Sequence, residues 1–184
     1  LLQLMLIGYV LLFLFESEHA ILVALVLTVM ITVSSWIALR PLAAARRDLY
    51  PVTLAPIAVS GLPTLFLATE WVLDVTPWYP PRVVILLAGM IFANAMNSVS
   101  IAAERFSSEL SAGLDRVEAR RKAFEAALIP LVNSLLAVGL VALPGMMTGQ
   151  VLAGVSPLIA ARYQILVMCM LFGSSGIAAA CYLY

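Results

Sequence analysis

Asn94, Asn97 and Glu104 fall on one apolar run of the chain, with Ser98 and Ser100 beside them. At 3.6 residues per turn this spacing places both carboxamides and the carboxylate on one helical face together with Ile101. Such a stripe can bind a proton, a cation or a polar solute. At membrane depth it is costly to expose to lipid, so it must face protein or a water-filled path. Asn133 and Ser134 sit just inside a later run, Thr28, Thr32 and Ser35 line an earlier one, and Gln3 is placed similarly on the first. Asn94, Asn97, Glu104, Asn133 and Ser134 are the candidates for a substrate path. The serines and threonines serve equally as glue between helices.

A second group is Pro144-Gly145-Met146-Met147-Thr148-Gly149-Gln150. Two glycines flanking paired methionines predict a tight turn with exposed backbone at a mouth of the bundle, partly re-entrant. Thioethers suit soft ions such as Cu(I), whereas iron takes imidazole, carboxylate or thiolate more readily. Met146 and Met147 are therefore weak iron ligands and better flexible apolar filler. His19 is the only histidine, and no cysteine pair has zinc-site spacing, so the metal ligands stay unassigned.

Nothing in the chain assembles a catalytic triad or a carboxylate dyad, and an enzyme reading has no residues to stand on. A phosphate-binding loop needs Gly-Lys-Ser/Thr after a glycine-rich turn. The only lysine, Lys122, follows Arg121. ATP and Mg2+, if used, belong to a separate partner chain, and no cofactor is expected in this one.

The elements that must position these residues are apolar. Of 184 residues 64% are hydrophobic and 11% charged, against about half and about a quarter in soluble domains. Six apolar runs approach the roughly 20 residues needed to cross a bilayer: 1–15, 20–39, 52–69, 83–103, 126–143 and 158–184. The expected fold is an all-α polytopic integral membrane helix bundle, one transmembrane domain over 1–184. The first run is short and starts without Met, charged flank or cleavage site, so it reads as a helix cut part-way with residues lost upstream.

Charge placement orients the bundle. With the first run starting inside, eight of the ten basic residues fall in inner loops and only Arg82 and Arg162 outside, the positive-inside pattern. Trp71, Trp78 and Tyr79 then mark the outer boundary, and Trp36, Tyr50, Tyr182 and Tyr184 the inner one. Zero net charge argues against nucleic acid as a partner. Cys169 and Cys181 share one predicted helix about 18 Å apart and cannot bridge each other.

Three features of the connections matter. The turn at Glu16–His19 is tight and makes an antiparallel hairpin of the first two helices. Pro56, Gly61 and Pro63 predict a kinked third crossing, and Pro77, Pro80 and Pro81 a stiff extended loop over 71–82. The sizeable polar stretch is 104–125, where Phe106, Leu110, Leu114, Val117, Phe124 and Leu128 line one helical face. Gly113 suits a helix stop, and Asp115 with Glu118 has capping-box spacing. The expectation is helix, turn, helix on the cytoplasmic side. Its acids are interspersed with its bases, which suits a protein partner better than an anionic lipid surface.

Taken end to end, the chain resembles the FetB family of iron-export permeases, whose plant relatives are associated with aluminium tolerance. The resemblance is carried by Gly89-Met90-Ile91 with Asn94-Ala95-Met96, by Ala127-Leu128-Ile129-Pro130 with Ser134, and by Val138-Gly139-Leu140-Val141 running into 143–149. Ala153-Gly154, Pro157 and Tyr163-Gln164-Ile165 extend it. It implies a seven-helix ABC-type permease, so that one helix and a basic loop precede Leu1. It further implies a permease homodimer working with two copies of a soluble ABC ATPase in the bacterial inner membrane, the C-terminus cytoplasmic. The segment from Leu110 to Leu114 resembles the coupling loop of such permeases, which makes Glu109, Gly113, Leu114, Asp115, Val117 and Glu118 the expected ATPase contacts. Two other classes compete: a secondary transporter with Glu104 and Glu70 as proton-binding groups, and a non-transporting membrane scaffold.

Overall fold

The computed structural model describes residues 2–16, 19–74, 77 and 79–184, with side chains at 7–16, 19–42, 46–74, 77 and 79–184. Trp78, the side chain of Gln3 and the centre of the turn at 16–19 lie outside the described residues. Among the described residues seven α-helices follow one another: α1 (Leu2–Glu16), α2 (Ala20–Ala38), α3 (Arg46–Phe66), α4 (Pro81–Ser111), α5 (Arg116–Ala137), α6 (Gly145–Leu152) and α7 (Pro157–Leu183). A 3-10 turn over Arg40–Ala45 joins α2 to α3, and α3 widens into a π-helix over Leu67–Val72.

α4 is the axis of the bundle and packs against α2, α3, α5 and α7. Val84, Ala88, Ile91, Ala95, Val99 and Ala102 recur along it and are all buried, the period expected of a helix enclosed on most sides. Between helices in lipid the gain is close packing rather than transfer out of water, so small residues matter most. Ala102, Ala123, Ala127 and Ala179, from α4, α5 and α7, form one buried cluster with Leu183. Near the middle of α3, Gly61 lies under the Phe92 ring, where a β-carbon would come within 2.8 Å of Phe92 Cδ1.

The polar residues of the second crossing satisfy their own helix. Thr28 Oγ1 donates to Ala24 O at 2.8 Å, and Ser35 Oγ to Ile31 O at 2.7 Å. The cap of α2 comes from the next helix: Arg46 donates through Nε and Nη2 to Trp36 O, while its guanidinium carbon stands 3.9 Å from the Trp36 ring centroid. A cation on the last carbonyls of a helix opposes the negative end of its dipole. Trp36 also meets Tyr50 edge-on at 5.9 Å, so these two aromatics and the arginine form one joint.

The count of crossings stands in part, and three other expectations are corrected. Among the described residues four helical segments are long and apolar enough to cross a membrane, Ala20–Ala38, Arg46–Val72, Pro81–Ser111 and Pro157–Leu183, four of the six runs expected. α1 has 15 residues, and α5 carries six charged residues in positions 116–125, leaving only 126–137 apolar. The fifth run does not continue to Leu143. Val138 turns extended and Gly139 takes φ +78, with Gly139 N donating to Ala142 O at 3.0 Å, so the turn lies at 138–142.

The segment Pro144, Gly145, Met146, Met147 and Gly149, expected as that turn, instead begins α6. Pro144 is its N-cap and its carbonyl accepts from Thr148 N at 2.9 Å and Thr148 Oγ1 at 3.1 Å. The proline presets its own φ and needs no donor there. The extended loop is shorter than 71–82, because Trp71 and Val72 belong to the π-helix and Pro81 and Arg82 to the first turn of α4. Proline at the first helical position loses no bond, because the N–H it lacks would have had no partner in the helix there.

Candidate functional site

A cleft of about 440 Å3 opens at the end of the bundle opposite the 104–125 segment, between α4, α5, α7 and the start of α6. Met90 and Asn94 enter it from α4, Ser134 from α5, Met146 from α6, and Gln164 and Met168 from α7. Leu131, Leu135, Val138, Val167, Leu171 and Phe172 form the apolar walls, and among the described residues no charged side chain lines it. Asn94 donates Nδ2 to Met90 O at 2.9 Å, which leaves its carbonyl oxygen as the free end. Ser134 Oγ donates to Pro130 O at 2.8 Å.

Of the expected path residues, then, Asn94 and Ser134 meet in the cleft, while Asn97, Glu104 and Asn133 do not line it. Those three are exposed on the outside of the single chain. On α4 the exposed positions include Ala93, Asn97, Glu104, Ser108 and Ser111, four of these five polar. Gln164 went unread as a site residue, although it is the lone carboxamide in the apolar run of α7 and shares a face with Met168 four residues on. It is 7% exposed, and its Oε1 is buried with no hydrogen-bond partner. Glu70, in the π-helix, likewise has a buried Oε1 without a partner. Among the described residues no group of three His, Cys, Asp or Glu could hold a metal, and Cys169 and Cys181 are free and exposed.

The other end carries the helical hairpin expected from the sequence, but built differently. α4 runs unbroken to Ser111 and α5 starts at Arg116, so the hairpin is the protruding end of two long helices. Gly113 takes φ +89, its N–H bonds Leu110 O at 3.0 Å, and Leu114 N bonds Glu109 O at 3.2 Å. This paired pattern is the Schellman ending that a left-handed glycine permits. Asp115 caps α5, accepting from Val117 N at 3.2 Å. Glu118 does not complete a capping box, because its carboxylate takes Arg121 at 2.5 Å, which holds its pKa below the usual 4.5, the Arg121 hydrogen bond being the main cause.

Most of the hairpin's apolar face packs inward. Phe106 and Phe124 lie against the alanine cluster of α4, α5 and α7. Val117 departs from that face and is 73% exposed at the tip. Glu109, expected as a docking contact, is instead buried and paired with Arg105 at 2.6 Å and Lys122 at 3.6 Å. Its carboxylate braces α4 to α5 because burial would be costly without two cations. Arg120 places its guanidinium 5.3 Å from the Tyr184 ring centroid, joining hairpin and C-terminus.

An all-helical bundle with four membrane-length apolar segments, a polar-lined cleft and a protruding charged hairpin defines an integral membrane protein of the permease kind. The chain belongs to the uncharacterised protein family UPF0014, whose model matches residues 1–184. It is similar to the UPF0014 membrane protein slr1647 of Synechocystis, 37% identical over 182 residues, 91% of this chain and 70% of that protein. It is similar also to the probable iron export permease protein FetB of Escherichia coli, 32% identical over 198 residues, 98% of this chain and 75% of that one. The protein ALUMINUM SENSITIVE 3 of Arabidopsis thaliana is 31% identical over 192 residues, 96% of this chain and 69% of its own length. No solved structure matches the chain.

Proposed function

We propose that this chain is the membrane-spanning subunit of an ABC transporter that exports a metal ion, iron, across a bacterial inner membrane, driven by a separate soluble ATPase. The reading rests above all on the α4–α5 hairpin. Its tip offers Gly113, Leu114, Asp115 and the exposed Val117, and the Glu109 brace turns a push on that tip into movement of α4, the axis of the bundle. Nucleotide-driven closure of the partner would act there and swing the crossings between inward-open and outward-open states. The similarity to an iron export permease supports the cargo.

In this reading α1 and α5 complete six crossings, with a seventh in the full-length protein and the C-terminus cytoplasmic. Two copies pair so that the exposed edge of Asn97 and Glu104 faces the partner copy and a shared path rather than lipid. Reconstitution of the full-length protein with and without its ATPase in iron-loaded vesicles is the test. ATP-dependent iron movement that needs both subunits, and is lost in Asn97→Leu at unchanged membrane level, supports the proposal. Iron movement that needs no ATPase overturns it.

The competing secondary transporter draws on the unpartnered Glu70 Oε1. It predicts transport by this polypeptide alone under a proton gradient, abolished in Glu70→Gln.

A further inference from the structure

We infer that the cleft at the far end of the bundle is a binding site for a soft monovalent metal cation, Cu(I) or Ag(I), held by the thioethers of Met90, Met146 and Met168. Three of the eight methionines come together here from three different helices. An apolar wall alone does not explain what stands among them. Gln164, one of the lining residues, has a buried carbonyl oxygen with no partner, and Asn94 donates one amide N–H to Met90 O. A buried acceptor oxygen left without a donor is costly in apolar surroundings. A cation repays that cost.

The charge and the softness of the ligands select the ion. No carboxylate, imidazole or other charged side chain lines the cleft, so nothing offsets the desolvation of a bare divalent or trivalent ion. A monovalent ion carries a much smaller penalty. Thioether sulfur is soft and polarisable and prefers Cu(I), while hard ions prefer carboxylate and water oxygen. At about 440 Å3 the space exceeds one ion, and methionine, with three rotatable bonds, is the side chain that can close on it. Met147 and Cys169 line an adjoining cavity that shares Gln164 and Met168 with this one, extending the sulfur lining.

The site is distinct from the iron path of the proposed function, which follows the Asn97 and Glu104 edge, and binding needs no ATPase. The experiment is Cu(I) competition against a colorimetric Cu(I) chelator, using the full-length protein in detergent with Cys169→Ser and Cys181→Ser, so that thiols contribute nothing. The expected result is one Cu(I) per chain, weakened at least tenfold in Met146→Leu/Met168→Leu and unchanged in Met96→Leu. Leucine keeps the volume and the fold, which thermal unfolding of each variant checks. No binding, or equal binding by the double variant, overturns the inference. Cu(I) bound as expected in a protein that moves no metal with its ATPase would uphold the site and overturn the transporter reading instead.

Discussion

Lys122 Nζ stands 3.6 Å from Glu109 Oε2 across the hairpin, and Arg105 closes on the other oxygen of the same carboxylate at 2.6 Å. One buried acid thus ties the end of α4 to the start of α5. Replacing it by Gln leaves two cations facing each other with half the acceptors gone. Glu109→Gln is expected to lower stability by about 1–3 kcal/mol, measured by unfolding of the purified protein in detergent. Coupling to an ATPase should fall more than stability does, and Lys122→Met should repeat the coupling defect.

Gly113→Ala isolates the turn from its surroundings. A β-carbon there meets nothing within 4 Å, but φ is +89, so the cost is backbone strain of about 1 kcal/mol. Amide exchange at the hairpin should speed up while the far end of the bundle is unaffected.

Gly61→Ala is the opposite case, ordinary backbone with no room. The new carbon would press on Phe92, itself 1% exposed, and on Ile91 Cγ2 at 3.3 Å. Overpacking of this kind costs about 1–3 kcal/mol. Thermal unfolding should report it, and Phe92→Leu in the same chain should recover part of the loss.

Glu118 provides a pH readout. Its folded pKa is lowered, first by the Arg121 hydrogen bond, so the contribution is fully present above the usual 4.5 and disappears as pH falls through the lowered value. Both groups lie on the surface, and the effect is local and sensitive to salt. Carbon-13 titration of the Glu118 side chain should give a midpoint below 4.5 that returns to the ordinary value in Arg121→Gln.

Arg46→Gln tests the joint between α2 and α3. It removes the guanidinium that both caps Trp36 O and stacks on the Trp36 ring. A loss of about 1–2 kcal/mol is expected by thermal unfolding, with Arg46→Lys recovering only part, because an ammonium lacks the planar fork.

Local chemistry was legible wherever one residue decides one bond. Gly113 and Asp115 announced the end of one helix and the cap of the next, and both do that here, because helix ends obey near-neighbour rules. The 20–39 and 158–184 runs became α2 and α7 almost residue for residue. Element boundaries failed where a proline or glycine had two uses. Pro144 reads as a breaker but starts a helix, and the real turn is five residues earlier, around Gly139. The hairpin's apolar face was visible, yet its target was not: Phe106 and Phe124 spend it on the protein's own α7.

Sequence by itself determined the lipid-seeking character of this protein and its helical class, since these depend on composition and on residues close along the chain. Only the tertiary structure decided which polar side chains keep company. Asn94 and Asn97 are three residues apart on one helix, but Asn94 joins Ser134, Gln164 and three methionines in a cleft while Asn97 is left on an open face. The physical reason is that helical periodicity states which residues share a face, and the crossing of neighbouring helices, set by contacts such as Gly61 beneath Phe92, states what that face meets.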